Sequence, residues 1–177
     1  MGWIGWTITI VVVYIMLTVW YIMRKQKKAK FHVEAMAGLG SIASLIDGES
    51  DEYERKTLIR RMKLHVENEA SDDTHGDIYK PYLDDEGDFT IDGAIALVEA
   101  ATETYGLEDL KMNSSEVPEE VLLKVDEMCK KINKNMRADV FEMLADQVSA
   151  DVEFHPNEMV LLERVGKGLK IKKKEQM

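Results

Sequence analysis

An uninterrupted apolar stretch near the N-terminus constrains this chain more than any other feature of its sequence. Residues 3–23, WIGWTITIVVVYIMLTVWYIM, contain no charged side chain. As an α-helix rising about 1.5 Å per residue, such a stretch extends about 30 Å, the thickness of the hydrocarbon core of a bilayer. Tryptophan and tyrosine stand at its ends, as in the aromatic belts of membrane helices. The sequence therefore predicts a transmembrane anchor over residues 1–23.

The residues that follow the apolar stretch indicate its orientation. Residues 24–30, RKQKKAK, form a basic juxtamembrane linker. Because Lys and Arg accumulate on the cytoplasmic side, we expect the N-terminus outside and the domain of residues 31–177 in the cytoplasm. The same cations are expected to contact anionic lipid head groups. A cleaved signal peptide is not indicated, because no basic segment precedes the stretch and no small-residue cleavage site follows it.

The rest of the chain is strongly acidic. Residues 31–165 hold 13 basic and 32 acidic side chains, a net charge of −19. Such a surface should repel nucleic acid, whose phosphates are bound by Lys and Arg, and attract cations or basic protein surfaces. Solubility alone explains the surplus of acids equally well. We therefore expect no nucleic-acid partner, and either a bound cation or another membrane or cytoplasmic protein.

Apolar residues recur at helical spacing through residues 31–177, and no segment alternates as a strand does. Start and stop signals divide this part into six or seven helices. They are expected at about 31–46, 51–68, 90–106, 115–132, 135–150 and 155–169, with a polar connection at 67–87 that has room for one short helix. The sequence thus predicts an all-α protein, in which a single transmembrane helix precedes a compact bundle of six or seven helices.

An acidic pattern occurs twice, each time between two predicted helices. The copies read IDGESDEYE at 46–54 and ADVEFHPNE at 150–158, each with Asp, Glu two residues later and Glu seven residues after the Asp. The six candidate metal ligands are Asp47, Glu49, Glu54, Asp151, Glu153 and Glu158. Hard cations such as Ca²⁺ and Mg²⁺ prefer oxygen ligands, so both turns are candidate cation sites. Ordinary helix capping by the same carboxylates is the alternative.

Both copies resemble the signature of the tellurite-resistance TerB family. In that signature a helix ends in Ala-Asp-Gly, a short turn often carries Pro, and Glu-Glu opens the next helix. Asp47-Gly48 with Glu54 match it in the first copy, and Ala150-Asp151 with Pro156 and Glu158 match it in the second. The resemblance covers about residues 31–170. It implies a compact helical fold with two pseudo-repeated halves, clustered carboxylates that bind divalent cations, and a part in membrane-associated stress responses without catalytic activity.

The chain departs from the family pattern at three places. The long polar stretch at residues 67–90 does not align with it. Val152 replaces the usual Gly, which affects the turn of the second copy, and the first copy lacks the Pro. A membrane anchor before a TerB-like domain also resembles the front half of membrane-anchored DnaJ-like co-chaperones. Their J domain is missing here, and residues 155–157, His-Pro-Asn, are similar to a J domain's His-Pro-Asp but are expected to begin the last helix.

Residues 88–99, DFTIDGAIALVE, form a competing cation signal. An EF-hand loop has its characteristic residues at positions 1, 3, 5, 6, 8 and 12. Here these are Asp88, Thr90, Asp92, Gly93, Ile95 and Glu99. Phe89 and Ile91 occupy loop positions that are usually polar. We therefore favour a helix capped by Thr90, with Phe89 and Ile91 packed inward.

Signals for catalysis are weak. The four histidines are scattered, no HExxH motif or Gly-rich phosphate loop occurs, and Cys129, the single cysteine, is expected to be a core residue. We expect no enzymatic activity. We favour a membrane-anchored, TerB-like module that binds a divalent cation, with Ca²⁺ or Mg²⁺ as the expected ion. The alternative is a non-enzymatic membrane scaffold whose acidic face recruits a basic protein without metal.

Overall fold

Helices account for nearly all of the regular structure of this chain. The computed structural model describes residues 2–46, 52–71, 76–108, 110, 116–149 and 155–171, with the backbone alone described at 2–8 and 52–55. The α-helices are α1 (Gly2–Ala43), α2 (Glu52–Ala70), α3 (Ile91–Tyr105), α4 (Glu119–Lys131), α5 (Arg137–Val148) and α6 (Pro156–Leu169). Three short 3-10 helices lie at Gly76–Ile78, Lys80–Tyr82 and Lys134–Met136. Since these residues contain no β-strand beyond an isolated bridge between Leu83 and Phe89, the all-helical prediction is confirmed for them.

Helix α1 runs through the predicted anchor, the predicted linker and the first domain helix without a break. Residues 24–30 continue the helix because Arg, Lys, Gln and Ala are strong helix formers. The two ends of α1 differ in their surroundings. Every side chain in 9–23 is exposed, whereas every one in 32–40 is buried. One end of α1 therefore projects from the domain, and the other is its central helix.

The transmembrane prediction for residues 1–23 is not confirmed by the structure. Within the part of the chain whose placement is described, no helix is both long enough and apolar enough to cross a membrane. The predicted span begins at residue 3, whereas side chains are described from residue 9 onward.

Small residues allow the other helices to pack closely around α1. A Cβ atom at Gly38 would lie 2.6 Å from Sδ of Met128 on α4, and one at Gly40 would overlap Leu58 on α2. Helices α3, α4 and α5 make the most extensive contacts with α1. The GLG sequence at 38–40 is therefore a packing feature of the central helix.

Helices α4 and α6 run side by side in the same direction. Arg164 on α6 donates two hydrogen bonds to the Asp126 carboxylate on α4, at 2.9 and 2.7 Å. Further along both helices, a Cβ at Gly168 would lie 2.9 Å from Sγ of Cys129. Burial raises the pKa of the Cys129 thiol to about 12, so its predicted role as a core residue is confirmed. Both helices end on the side of the domain where α1 enters it.

Helix boundaries agree best with the prediction where a capping signal is present. The Thr90 hydroxyl accepts a hydrogen bond from the Gly93 N–H at 3.3 Å and begins α3, and Gly106, at φ 61°, ends it. Helix α5 begins at Arg137 rather than at residue 135. The reason is that the Asn133 side chain caps a short 3-10 helix that precedes α5.

Candidate functional site

The two predicted acidic turns follow α1 and α5, and most of their carboxylates lie outside the described residues. These are Asp47, Glu49, Asp151 and Glu153, together with the side chain of Glu54. Glu158 is the one predicted ligand whose side chain is described. The geometry of the candidate site is therefore given by the residues that flank the two turns.

Buried amide groups join the flanks of the two turns. Asn157, in the first turn of α6, donates from Nδ2 to the carbonyl oxygen of Ile46 at 3.1 Å. Gln147, near the end of α5, donates from Nε2 to the carbonyl of Gly40 at 2.9 Å and to the Ser44 hydroxyl at 2.5 Å. The residue just before the first turn thus touches the helix that follows the second, although 111 positions separate them.

The chemistry of helix ends explains why these amides lie there. The last carbonyl groups of a helix have no partner within the helix and need donors from elsewhere when they are buried. Asn157 and Gln147 are both buried and donate to carbonyl groups at and just beyond the end of α1, where the Gly40 carbonyl also accepts from the Ser44 N–H at 3.0 Å. The C-terminal end of a helix also carries partial negative charge, which favours a nearby cation. Two helix ends, those of α1 and α5, contribute this charge beside the turns.

Glu158 caps the last helix. Its Oε2 atom accepts a hydrogen bond from the backbone N–H of His155 at 2.8 Å, and Nδ1 of His155 accepts one from the Asn157 N–H at 3.2 Å. These reciprocal bonds form a capping box, with Pro156 at the first helical position. The prediction that residues 155–157 begin a helix is confirmed. Of the six acidic residues predicted as metal ligands, Glu158 therefore acts as a helix cap, as the alternative interpretation expected.

The EF-hand alternative at residues 88–99 is wrong, because α3 is helical from residue 91 onward. Asp92 lies in the first helical turn and Glu99 two turns later, so they cannot wrap around one cation as an EF-hand loop does. Phe89 is buried as expected, but Ile91 is 65% exposed. Its direction follows from helix geometry, because the buried residues Ala94, Leu97, Ala101 and Tyr105 lie about a quarter turn away from it.

A carboxylate cluster that the sequence reasoning did not single out lies in the connection between α2 and α3. Asp84, Glu86 and Asp88 place carboxylate oxygens within 4.8 Å of one another, and all three residues are exposed. Asp84 accepts hydrogen bonds at Oδ1 from the N–H groups of Glu86 and Asp88, at 3.0 and 2.8 Å. Gly87 has a φ of 88° in the same turn. Residues 84–88, DDEGD, could have indicated this turn, because Asp and Gly are common in tight turns.

Two histidines that are far apart in the sequence meet between α1 and α2. The ring centres of His32 and His65 are 4.9 Å apart, with one ring edge against the face of the other. His32 accepts a hydrogen bond at Nδ1 from the Asn133 N–H at 3.4 Å. Burial, together with the neighbouring His65, lowers the pKa of His32 to about 3. Burial also lowers the pKa of His65. Both imidazoles are therefore neutral at neutral pH.

Comparisons with known proteins provide no family assignment for this chain. No protein-family model matches it. No curated protein and no solved structure matches it significantly. The resemblance to the TerB family therefore rests on the residues of the two acidic turns and their helical context.

Proposed function

We propose that this chain is a membrane-anchored, TerB-like helical module that binds divalent cations, Ca²⁺ or Mg²⁺ before others, at its two acidic turns. The proposal is carried by the 3.1 Å hydrogen bond between Asn157 and Ile46, which draws the flanks of both turns together. Ca²⁺ takes six to eight oxygen ligands, more than the carboxylates of one such turn supply. The carboxylates of two turns whose flanks are in contact, with backbone carbonyls at the ends of α1 and α5, would offer the larger ligand set.

Exposure of α1 supports the anchor over residues 1–23. The large apolar side chains from Ile10 to Met23 are 38–71% exposed, on every face of the helix. A helix that is apolar all round is stable when protein or lipid covers it, because exposed apolar area costs about 25 cal/mol per Å² in water. Thr18 satisfies its hydroxyl within the helix by donating to the Tyr14 carbonyl at 2.9 Å.

Residues at the end of the apolar part support the proposed orientation. The Arg24 guanidinium lies 5.2 Å from the centre of the Trp20 ring, and Lys25 Nζ lies 5.5 Å from that of Tyr21. Aromatic and basic residues together are typical of the cytoplasmic interface of a membrane helix. The domain would then lie in the cytoplasm and the N-terminus outside.

The biological setting follows from the TerB resemblance alone. A non-enzymatic part in a stress-response or tellurite-resistance-like membrane complex is what that resemblance supports. The partner would be another membrane or cytoplasmic protein in the same complex.

A membrane scaffold that recruits a basic protein without metal is the second candidate. The cluster of Asp84, Glu86 and Asp88 favours it, because these three exposed carboxylates lie close together. Clustered like charges repel one another, and basic side chains from a partner would relieve that repulsion as a cation would.

The unfolding midpoint of the full chain in detergent tests the cation proposal. The protein is stripped of metal and titrated with Ca²⁺, Mg²⁺, Mn²⁺ and Zn²⁺ at constant ionic strength. An ion bound to the folded state at 100 times its Kd adds about 2.7 kcal/mol to the free energy of unfolding. We expect a saturable rise for one ion that is lost in the double variant Asp47→Asn, Asp151→Asn.

The matched control is the double variant Asp84→Asn, Asp88→Asn, which removes the same charge from the exposed cluster. This control should keep the rise in the midpoint. A rise that is lost in the control but kept in the first variant would move the site to the connection between α2 and α3. A midpoint that responds to none of the ions would overturn the cation proposal and favour the scaffold.

A further inference from the structure

Lysines that are distant in the sequence meet where α1 enters the domain. Nζ of Lys27 lies 5.7 Å, and Nζ of Lys131 lies 5.1 Å, from the centre of the Phe31 ring. Lys27 belongs to the basic segment of α1, whereas Lys131 ends α4. Because α1 is continuous, Phe31 lies about 12 Å along the helix axis beyond Met23, where the apolar stretch ends.

Two hydrogen bonds hold the ends of other helices at this same side. The N–H of Asn133, just after α4, donates to His32 Nδ1 at 3.4 Å. Nη1 of Arg137, at the start of α5, donates to the carbonyl of Leu169, the last residue of α6, at 3.3 Å. The helix ends carry four lysines, which we call the basic collar: Lys130, Lys131, Lys134 and Lys170.

Among the residues whose placement is described, no acid pairs with a collar lysine. All four are exposed, and no carboxylate of a described residue lies within 4.0 Å of their Nζ atoms. Lys167, by contrast, pairs with Glu163 at 2.8 Å. Glu127, one turn before Lys131, lies 4.0 Å from Lys124. The collar is thus a patch of exposed lysines, without a paired carboxylate among the described residues, on a domain whose net charge is negative.

We propose that the basic collar binds the anionic head groups of the bilayer that holds α1, so that the domain rests on the membrane in one orientation. This inference builds on the proposed anchor. The polar zone of a bilayer extends about 5–8 Å beyond the hydrocarbon on each side, and an anionic surface acts over about 8–10 Å more at physiological salt. A collar about 12 Å beyond the apolar stretch lies within that reach. The same surface repels the acidic remainder of the domain, which strengthens the orientation.

Lysine footprinting on the full chain tests this inference. The protein is added to lipid nanodiscs of phosphatidylcholine alone or with one third phosphatidylglycerol, acetylated briefly, and analysed by mass spectrometry. We expect acetylation of the collar lysines to slow about fivefold or more in the anionic discs. The protection should disappear near 1 M NaCl, where charges are screened beyond about 3 Å.

Lys56 supplies the internal reference. Lys56 lies near the N-terminal end of α2, two residues before Leu58. Leu58 packs on Gly40, near the C-terminal end of α1, whereas the collar surrounds Phe31 at the opposite side of the domain. Its acetylation should be equal in both kinds of disc. The double variant Lys131→Gln, Lys134→Gln should reduce the protection of Lys130 and Lys170, whereas the control Lys56→Gln, Lys63→Gln should leave that protection unchanged.

Co-elution of the protein with the discs distinguishes failure of the collar proposal from failure of the anchor proposal. Co-elution with both kinds of disc, with equal acetylation of the collar, would overturn the collar and leave the anchor standing. Co-elution with anionic discs alone, lost at high salt, would support the collar and overturn the anchor. Absence of co-elution with either kind would overturn both.

Discussion

Buried ionisable residues near the side where α1 enters the domain couple its stability to pH. Burial raises the pKa of the Glu34 carboxyl, even though the Thr104 hydroxyl donates to it at 3.0 Å. Burial also lowers the pKa values of His32 and His65. The histidines and the carboxylate therefore act in opposite directions. Folding favours the protonated form of Glu34 and the neutral form of each histidine.

We predict that stability falls with decreasing pH below about 6.5 because of the histidines. His32 titrates near 6.5 when unfolded and at about 3 when folded, so between these values the unfolded chain binds more protons. The free energy of unfolding should then fall by up to about 1.4 kcal/mol per pH unit for this histidine. His32→Asn retains an acceptor near Nδ1 and removes the titration. Denaturant unfolding between about pH 6 and 4 should show a shallower pH dependence in the variant.

Comparing the pH dependence of the unfolding free energy between the wild type and His32→Asn separates the effect of His32 from that of Glu34. The pKa of Glu34 is raised, so this group destabilises the fold as pH increases, and it does so in both proteins. An equal pH dependence of the unfolding free energy in the wild type and His32→Asn would contradict the lowered pKa of His32 in the folded domain.

At the scale of the elements, Gly93 shows how a connection fixes the position of a helix. The residue lies in the first turn of α3, and a Cβ there would overlap the carbonyl oxygen of Tyr82, in the second 3-10 helix. We therefore attribute this glycine to close backbone packing, and not to the sharp turn of an EF-hand loop.

We predict that Gly93→Ala destabilises the domain by about 2–3 kcal/mol, as overpacking of a tight contact does. Alanine in a helix is normally about 1 kcal/mol better than glycine, so the sign of the effect is diagnostic. Denaturant unfolding provides the measurement. Gly106→Ala is a control that reports backbone strain without overpacking, because Gly106 has a positive φ and a Cβ there would meet only Lys124 Nζ, at an ordinary contact distance of 3.7 Å. A stabilised Gly93→Ala variant would contradict the contact with Tyr82.

The sequence predicted elements well where a local signal was present. The Thr90 cap, the Gly106 terminus and the Pro156 start all depend on residues within one turn of the boundary. The continuity of α1 through residues 24–30 was missed, because a change from apolar to basic residues looks like a boundary although every residue type favours a helix. Ile91 was placed inward because its apolar character was considered without the rotation of the helix.

Contacts within the candidate site lay beyond sequence reasoning. The spacing of the acids indicated two similar turns, but the hydrogen bond from Asn157 to Ile46 joins residues 111 positions apart. The pairing of His32 with His65 has the same origin, since it depends on α1 and α2 packing in opposite directions. Helix periodicity specifies which face of a helix is buried. It does not specify which residue of another helix covers that face.

At the scale of the whole molecule, charge and hydropathy are arranged along one axis. The apolar part of α1 comes first, the basic segment follows, and the basic collar lies where α1 enters the domain, whose residues 31–165 carry a net charge of −19. Such an arrangement matches the layers at a membrane surface, from hydrocarbon through anionic head groups to water.

We predict that two charges in the apolar part of α1 release the protein from membranes. Val13→Arg with Leu17→Arg should cost about 5–7 kcal/mol of insertion free energy, at about 2.5–3.5 kcal/mol for each charge near the centre of a span. Fractionation of cells that express the full chain, followed by an alkaline wash, should move the variant from the membrane pellet to the supernatant. The control Val13→Leu with Leu17→Val should remain in the pellet. A wild-type chain that the wash removes would contradict the anchor.

The number of ions bound per chain tests most directly whether the two acidic turns act as one cation site. Calorimetric titration of the full chain in detergent, with the ion that raises the unfolding midpoint, provides that number. If both turns contribute ligands to one site, as we propose, one ion binds per chain, and binding is lost in Asp47→Asn alone and in Asp151→Asn alone. Two ions bound independently, or one ion whose binding survives both single variants, would contradict a shared site.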